Sequence, residues 1–428
     1  MGRRARRLAA GAACALALAS CAAPGPGPTK PAAGGGGHGY LAYFDFNEEE
    51  DFLATAPPAR GRLIPPWDPN GQLCLANDAS GRFAVAFNPT LPGQHNPGSA
   101  KPVKQPPVGE AIYDRYGHFT GKTVYVPGPF HLPGQTVGGD IPPDAGTGHF
   151  NNNGTYTGCA FDSADNLFAT DLGTAQGQFP TPDDGRLIEW FAPSHSHYCI
   201  LIGPTSGGVG PHHVDGTGGL RQPGLLAFDP HGDLLVPEAG YELGGAPAGR
   251  VLKLDHRSLP RGPGACGPDG LYPSSELRYQ VFVQGSLARL PFPLAVARDP
   301  TCGCWAVDSV FGDPAIAWFD DSGRPLPDRP PVPGEPLSEL GAPGGYNPFG
   351  MAFAPDGTLY FVDIHIACTN GVLADCGPTP KAGRLMRVRF AGGRPSAPVA
   401  VASGLDFPTS VTVCVPAHRT CPAPPRGR

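Results

Sequence analysis

The stretch "AFAPDGTLYFVD", Ala352 to Asp363, decides the fold. It reads as two short apolar runs joined by an Asp-Gly turn and closing on an acid, the pattern of a tight β-hairpin. Three other stretches of the same length share it: "AFDSADNLFATD" (Ala160 to Asp171), "AFDPHGDLLVPE" (Ala227 to Glu238) and "ARDPTCGCWAVD" (Ala297 to Asp308). A degenerate copy begins at Ala76 in "ANDASGRFAVAFN", and a terminal one, "SVTVCVPAHRTC", runs from Ser410 to Cys421. The unit therefore occurs six times.

A strand-like run follows the units: "GRLIEWF" (185–191), "GRVLKLD" (249–255), "AIAWFDD" (315–321) and "GRLMRVRF" (383–390). A fourth run often comes next, as in "YCILIG", "YQVFVQG" and "PVAVASG". Four short antiparallel strands per unit, repeated, predict an all-β six-bladed β-propeller with almost no α-helix. The terminal unit supplies only a first and second strand, whereas "GYLAYFDFNEE" (Gly39 to Glu49) reads as a third strand with nothing before it. The N- and C-terminal strands are thus expected to close one shared blade, which pairs the edges that an open ring would expose.

The extended unit "NPFGMAFAPDGTLYFVD", Asn347 to Asp363, resembles the NHL repeat and the six-bladed family that groups gluconolactonase with senescence-marker protein. The resemblance covers nearly all of residues 72 to 421 and rests on short motifs. It implies the propeller fold and, for the lactonases, one divalent metal held at the channel mouth by Glu, Asn and Asp side chains. The family's metal-binding asparagine directly follows the proline that opens an inner strand. The matching positions here are Leu73, Thr157, Gly224, Leu294, Phe349 and Thr409, none of them Asp, Glu or Asn. A hard cation needs several oxygen ligands, so the resemblance carries the fold further than the lactonase activity.

Other features place the chain in its compartment. The opening "MGRRARRLAAGAACALALASC" has an arginine-rich head, a short apolar stretch and Leu18-Ala19-Ser20 before Cys21. It resembles a bacterial lipoprotein signal, which implies removal of residues 1–20 and lipidation of Cys21. Residues 21–37 are Pro/Gly-rich and read as a flexible tether. The propeller is assigned to residues 38–421, and residues 422–428 to a disordered tail. No later segment is apolar enough to span a bilayer. The expected location is therefore the cell envelope, facing periplasm or exterior, with a membrane contact through the lipid alone.

The chain carries 31 Lys and Arg against 37 Asp and Glu, a formal charge of −6, and four of the arginines lie in the leader. Nucleic-acid binding is disfavoured, because phosphate contacts require a basic face. Gly 62 and Pro 55 are abundant enough to suggest disorder, but the regular apolar spacing assigns them to turns. Of twelve cysteines, Cys14 falls in the leader and Cys21 is the lipid acceptor, leaving an even set that in an exported chain favours disulfides. Cys368 with Cys376, and Cys414 with Cys421, are the preferred local pairs. Cys302-Gly303-Cys304 is too tight for easy mutual bridging, so each of those two is expected to pair elsewhere.

Chemistry is sought where the second strands end and the first strands begin, since a propeller brings these to one face. Asp171, Glu238, Asp308 and Asp363 form a quasi-symmetric ring there. Recurrence in blade after blade argues for an architectural role, the carboxylates accepting backbone N–H groups. The less symmetric residues are His149, His212, His213, Asp215 and His365; with Glu238 and Asp363 they make a candidate ligand or metal face. Long connections lie on this face, as function-bearing loops on a rigid scaffold do. No Gly-x-Ser-x-Gly and no strand-to-helix phosphate loop occurs.

Two functions follow. The first is a lipid-anchored, monomeric surface protein whose loop-rich face binds a carbohydrate or an envelope protein, with no catalysis evident. The alternative is a metal-dependent lactonase- or esterase-like hydrolase, or a sugar-oxidising enzyme, using the His/carboxylate set and a possible divalent metal.

Overall fold

The computed structural model describes residues 40–45, 50–54, 62–63, 74–78, 81–87, 109–114, 118–125, 156–171, 185–203, 219–240, 242–243, 246–267, 270–286, 289–335, 345–368 and 376–414. They form a β-propeller: small antiparallel sheets arranged around a ring, with only two 3-10 turns, His256–Ser258 and Pro263–Ala265, as helical structure among the described residues. The innermost strands are Leu75–Asn77, Tyr156–Phe161, Ala227–Phe228, Val296–Arg298, Pro348–Phe353 and Pro408–Cys414. Each neighbours the next, and the last neighbours the first, so the ring is closed.

The twelve-residue units set this geometry. In four of them the first strand ends at a turn held by an aspartate that is the third residue of its unit; in the Ala352 unit that place is Ala354, and Asp356 Oδ1 instead accepts Thr358 N–H. Asp162 Oδ1 accepts the N–H groups of Ala164 and Asn166, and Asp229 Oδ1 accepts those of His231 and Asp233. Asp299 Oδ1 accepts Thr301 N–H, and Asp78 Oδ1 accepts Arg82 N–H. These Asx-type turns are favoured because a short side-chain acceptor satisfies backbone donors that a tight reversal leaves unpaired. The second strand of a unit has a neighbouring strand on each side, and other blades pack over both of its faces. Leu167–Asp171, Leu234–Glu238, Trp305–Asp308 and Leu359–Asp363 are accordingly buried at every residue, which is why their sequences read as near-continuous apolar runs. Blade-to-blade packing is apolar. Phe168, Leu187, Leu201, Leu226, Val236 and Leu252 belong to one such cluster, and Trp318, Leu359, Phe361 and Val388 to another.

Five sheets have the expected four strands; the sheet Val296–Arg298, Trp305–Asp308 and Ile316–Phe319 has three. The reason lies in "GRPLPDRPPVPGEP" after its third strand, where prolines recur every few residues. Proline has no N–H to donate to a ladder, and the segment makes isolated bridges, Phe319 with Pro325, Ile316 with Val332 and Gly312 with Glu335. The blade expected to be complete here ends in an irregular proline-rich strap.

Closure is by a shared blade, with a different division from the sequence expectation. Pro408–Cys414 pairs antiparallel with Tyr40–Asp45, which continues to Glu50–Ala54 and Arg62–Leu63. The N-terminal run is thus the second strand of the closing blade, not its third. Only one C-terminal strand takes part among the described residues.

Two disulfides stitch neighbouring blades: Cys74–Cys159, and Cys199–Cys266. The third, Cys302–Cys304, overturns the expectation that those two cysteines bond elsewhere. The hairpin between Val296–Arg298 and Trp305–Asp308 presents both sulfurs at its tip, and Gly303 between them takes φ +68°, a left-handed conformation open to glycine. That single residue lets so short a loop close. Cys368 and Cys376 stand opposite one another in a small hairpin, Ile366–Cys368 with Cys376–Pro378. Their side chains, and Cys421, lie outside what is described, as do residues 1–37 and 415–428. No helix of the described residues is long and apolar enough to cross a membrane.

Candidate functional site

Each second strand delivers its last residue to the same face, where the third strand begins. Register then decides what that acid meets. Asp171 is cross-strand partner to Arg186, Glu238 to Arg250, and Asp363 to Arg384. All three pairs are salt bridges: Arg186 Nε donates to Asp171 Oδ2 at 2.7 Å, Arg250 Nε to Glu238 Oε2 at 2.5 Å, and Arg384 Nε to Asp363 Oδ2 at 3.0 Å. The second terminal nitrogen of Arg186 and of Arg384 donates to the same carboxylate oxygen. Remaining lone pairs take backbone donors, Arg221 N–H on Glu238 and Asn347 N–H on Asp363. Three of the four predicted ring acids are therefore buried, neutralised and fixed.

Asp308 differs. Its cross-strand partner is Ile316, because the third strand of its blade opens with "AIAWF" rather than Gly-Arg. Oδ1 accepts the N–H groups of Leu294 and Ala295, at 2.9 and 2.6 Å, while the buried Oδ2 has no hydrogen-bond partner among the described residues. With no cation beside it, burial pushes the carboxyl up to about 8, against the pull of the two backbone donors. It is a neutral acid at physiological pH.

Of the histidines predicted on this face, His365 is described. It sits two residues beyond Asp363 at φ +49°, its N–H donates to Asp363 Oδ1 at 3.3 Å, and its buried Nδ1 has no partner among the described residues. His149, His212, His213 and Asp215 lie outside the described residues, so the face is built here from Glu238, Asp363, His365 and the acidic ring.

The positions at which the resembled lactonases carry metal ligands are used otherwise. Thr157 Oγ1 donates to Pro223 O at 2.6 Å, Thr170 Oγ1 to Gly224 O at 3.0 Å, and Leu225 N–H to Leu294 O at 2.6 Å. A Cβ built on Gly224 would stand 2.0 Å from Leu294 O, so the inner strands approach too closely there for any side chain. Phe349 packs edge-on against Phe407, and Thr409 is fully buried. Leu73 lies outside the described residues; blade-to-blade hydrogen bonds and packing occupy the other sites. They do not fit a hard divalent cation.

Two clusters have metal-like donor composition among the described residues, and both lie at the opposite end, where first strands turn into second strands: Asp299, Cys302 and Cys304, and Asp233, Asp255 and His256. In the latter, Lys253 Nζ already sits 3.1 Å from Asp233 and 2.9 Å from Asp229. Nearby on the same end, "PSHSH" (Pro193 to His197) forms the turn between the outer strands Arg186–Trp190 and Tyr198–Ile202. There His195 is buried, its Nε2 2.7 Å from Asp165 O and its Nδ1 2.5 Å from Lys122 Nζ. Burial lowers the basicity of both His195 and Lys122.

The arginines are the site residues the sequence reading passed over. Their signal was present, since "GRLIEWF", "GRVLKLD" and "GRLMRVRF" all open on Gly-Arg and the Asp308 blade does not.

No protein-family model matches the chain, and no curated protein does. Among solved structures it is similar to a chain of a nidogen/laminin complex, with 12% identity and a TM-score of 0.47 over 87% of this chain and 97% of that one. It is also similar to a protein of unknown function from Bacteroides caccae, with 10% identity and a TM-score of 0.44 over 89% and 99%. A protein from Lactobacillus plantarum shows 11% identity and a TM-score of 0.43 over 88% and 99%.

Proposed function

We propose that the protein is an exported, lipid-anchored propeller, tethered through Cys21, that acts as a monomer and binds a carbohydrate or an envelope protein on the face carrying Glu238, Asp363 and His365. The observation that carries this reading is the neutralisation of Asp171, Glu238 and Asp363 by Arg186, Arg250 and Arg384. A carboxylate locked to a guanidinium is a poor base and a poor metal ligand, because either role requires breaking a buried ion pair. Such pairs brace a rim. In sequence, ten or more residues join Asp171 to Gly185 and Gly203 to Gly219, a length at which connections on a rigid scaffold commonly carry function. Disulfides linking neighbouring blades suit an oxidising compartment.

The test is a screen of the full mature chain against a glycan panel and against envelope extracts, run beside turnover assays on lactones and esters with and without added divalent metal. The expected result is saturable binding of one partner class, weakened about tenfold by His365→Ala, the loss of roughly one buried hydrogen bond to a ligand. Turnover of an ester or lactone with no binding partner found would overturn the reading in favour of a hydrolase.

A further inference from the structure

The Cys302–Cys304 bridge lies at the end of the propeller opposite the face just described, and its surroundings are unlike those of the other two disulfides. Cys74, Cys159 and Cys199 are buried among apolar residues. Here Cys302 is exposed and Cys304 is buried, and one guanidinium touches both sulfurs: Arg329 Nη1 is 2.7 Å from Cys302 Sγ and 2.6 Å from Cys304 Sγ. Its Nη2 donates to the buried Asp299 Oδ2 at 2.5 Å. The guanidinium carbon is 4.2 Å from the Trp318 ring centroid and 4.0 Å from that of Phe390, so the cation is gripped between two aromatic faces. Trp318 is itself fixed by Nε1–H donation to Pro330 O at 2.9 Å.

Arg329 comes from the proline-rich strap that replaces the fourth strand of this blade. A regular strand would present its backbone to the third strand; the strap instead carries a charged side chain to the hairpin tip. Aspartate and two sulfurs would also suit a soft metal ion when reduced. A guanidinium within hydrogen-bonding distance of all three donors already holds the positive charge there, and this argues against a second cation. What a guanidinium does for a neighbouring sulfur is stabilise its thiolate. The other charged groups close by are Arg298 and Asp321, 3.4 Å apart and paired, and Asp299 balances Arg329, so the charges around the hairpin tip sum to zero and the stabilisation of a thiolate rests on the direct contact of Arg329 Nη1 with both sulfurs.

We propose that Cys302–Cys304 is a thiol–disulfide exchange site for external dithiols, with Cys302 the sulfur attacked and Cys304 the leaving group held by Arg329. A thiolate of the dithiol attacks the exposed Cys302 Sγ, forming a mixed disulfide as the Cys302–Cys304 bond breaks. The bonding electron pair departs on Cys304 Sγ, beside the Arg329 guanidinium. The second sulfur of the dithiol, having lost its proton, attacks the first within the mixed disulfide and releases Cys302. The dithiol is oxidised to a disulfide, and the cysteine pair gains two electrons and two protons. A dithiol completes the exchange without another partner, since its second thiol is always at hand.

The experiment treats the native full chain, without denaturant, with dithiothreitol, quenches with N-ethylmaleimide at intervals and maps the labelled peptides. The peptide bearing Cys302 and Cys304 is expected to label at least about tenfold faster than those of Cys74–Cys159 and Cys199–Cys266, as exposed attack on a good leaving group requires. Arg329→Met is expected to slow that step about tenfold and Arg329→Lys to restore part of it, because a cation near the departing sulfur speeds its departure. Should Arg329→Met fail to fold, the pH profile of iodoacetamide labelling of reduced wild-type protein replaces it; labelling of the pair that persists well below the ordinary thiol range supports the site. Bridge reduction no faster than that of the other two disulfides, or labelling with an ordinary thiol profile, overturns it.

Discussion

Arg250 stands directly opposite Glu238 across two central strands of one blade, Nε 2.5 Å from Oε2, with both side chains buried. The equivalent pair recurs as Asp171 with Arg186 and Asp363 with Arg384. In the Asp308 blade the acid recurs and the arginine does not.

The first expectation follows from burial. Arg250→Leu takes the paired guanidinium from the fully buried Glu238 carboxylate, at a cost of about 3–5 kcal/mol. The double change Glu238→Leu with Arg250→Leu is expected to recover most of that loss, since it removes the stranded charge as well. Urea denaturation of the three proteins measures both. Equal destabilisation by single and double variants would show that the pair's geometry, not its charge balance, holds the blade.

The second concerns pH. Burial pushes the Asp308 carboxyl up to about 8 in the folded chain, and that of Glu189, on Arg186–Trp190 with no partner for Oε2 among the described residues, up to about 9. Unfolded carboxyls titrate near 4. Both folded values are raised, so the folded state binds more protons. Stability is therefore greatest near or below pH 4 as far as these groups are concerned, and falls as pH rises through the window up to about 8 and 9. Each group contributes a slope of about 1.4 kcal/mol per pH unit at most. Asp308→Asn mimics the neutral acid, and its advantage over wild type is expected to grow from pH 5 to pH 8. Denaturation midpoints across that range provide the check.

Steric closeness at the ring's inner wall gives the third. Gly224→Ala places a Cβ 2.0 Å from Leu294 O, backbone against backbone, where nothing flexible can yield. The expected loss is about 1–3 kcal/mol or more, seen as a lowered thermal midpoint. Gly264→Ala, with open space around it, is the control and should leave the midpoint near wild type.

Anchoring gives the fourth. Cys21→Ala is expected to abolish incorporation of labelled fatty acid and move the protein from the membrane to the soluble fraction, with the thermal midpoint unchanged. Retained label would place the lipid elsewhere.

The fold was legible because a propeller writes its blade into the sequence repeatedly. The apolar second strands, the turn aspartates and the acids at 171, 238, 308 and 363 recur at fixed offsets, so each copy corroborates the others. The proline-rich strap after Phe319 was legible in composition, but the repeat argued for a fourth strand and the missing proline N–H groups prevailed. Disulfide pairing was not legible: Cys74 and Cys159 are 85 residues apart in sequence and meet only because adjacent blades do. At the candidate face, the acids were visible as a ring, whereas their arginines became visible only once strand register placed Gly-Arg opposite each acid. His365 could be placed on that face from the sequence; the orphaned ring nitrogen could not, because it depends on what surrounds it.

The closing blade makes Tyr40 a register partner of Cys414, the two outermost described residues of the chain. Every other blade is assembled from consecutive sequence and can form as its segment is made. This one waits for residues 408–414, and its loop-closure entropy is the largest in the molecule. The ring is thus sealed in a single late event, and until then the Leu75–Asn77 and Pro348–Phe353 strands each lack a flanking neighbour. The propeller is therefore completed only by the contact that spans the most sequence, and a chain cut short of residue 408 would leave the ring open at both of those strands.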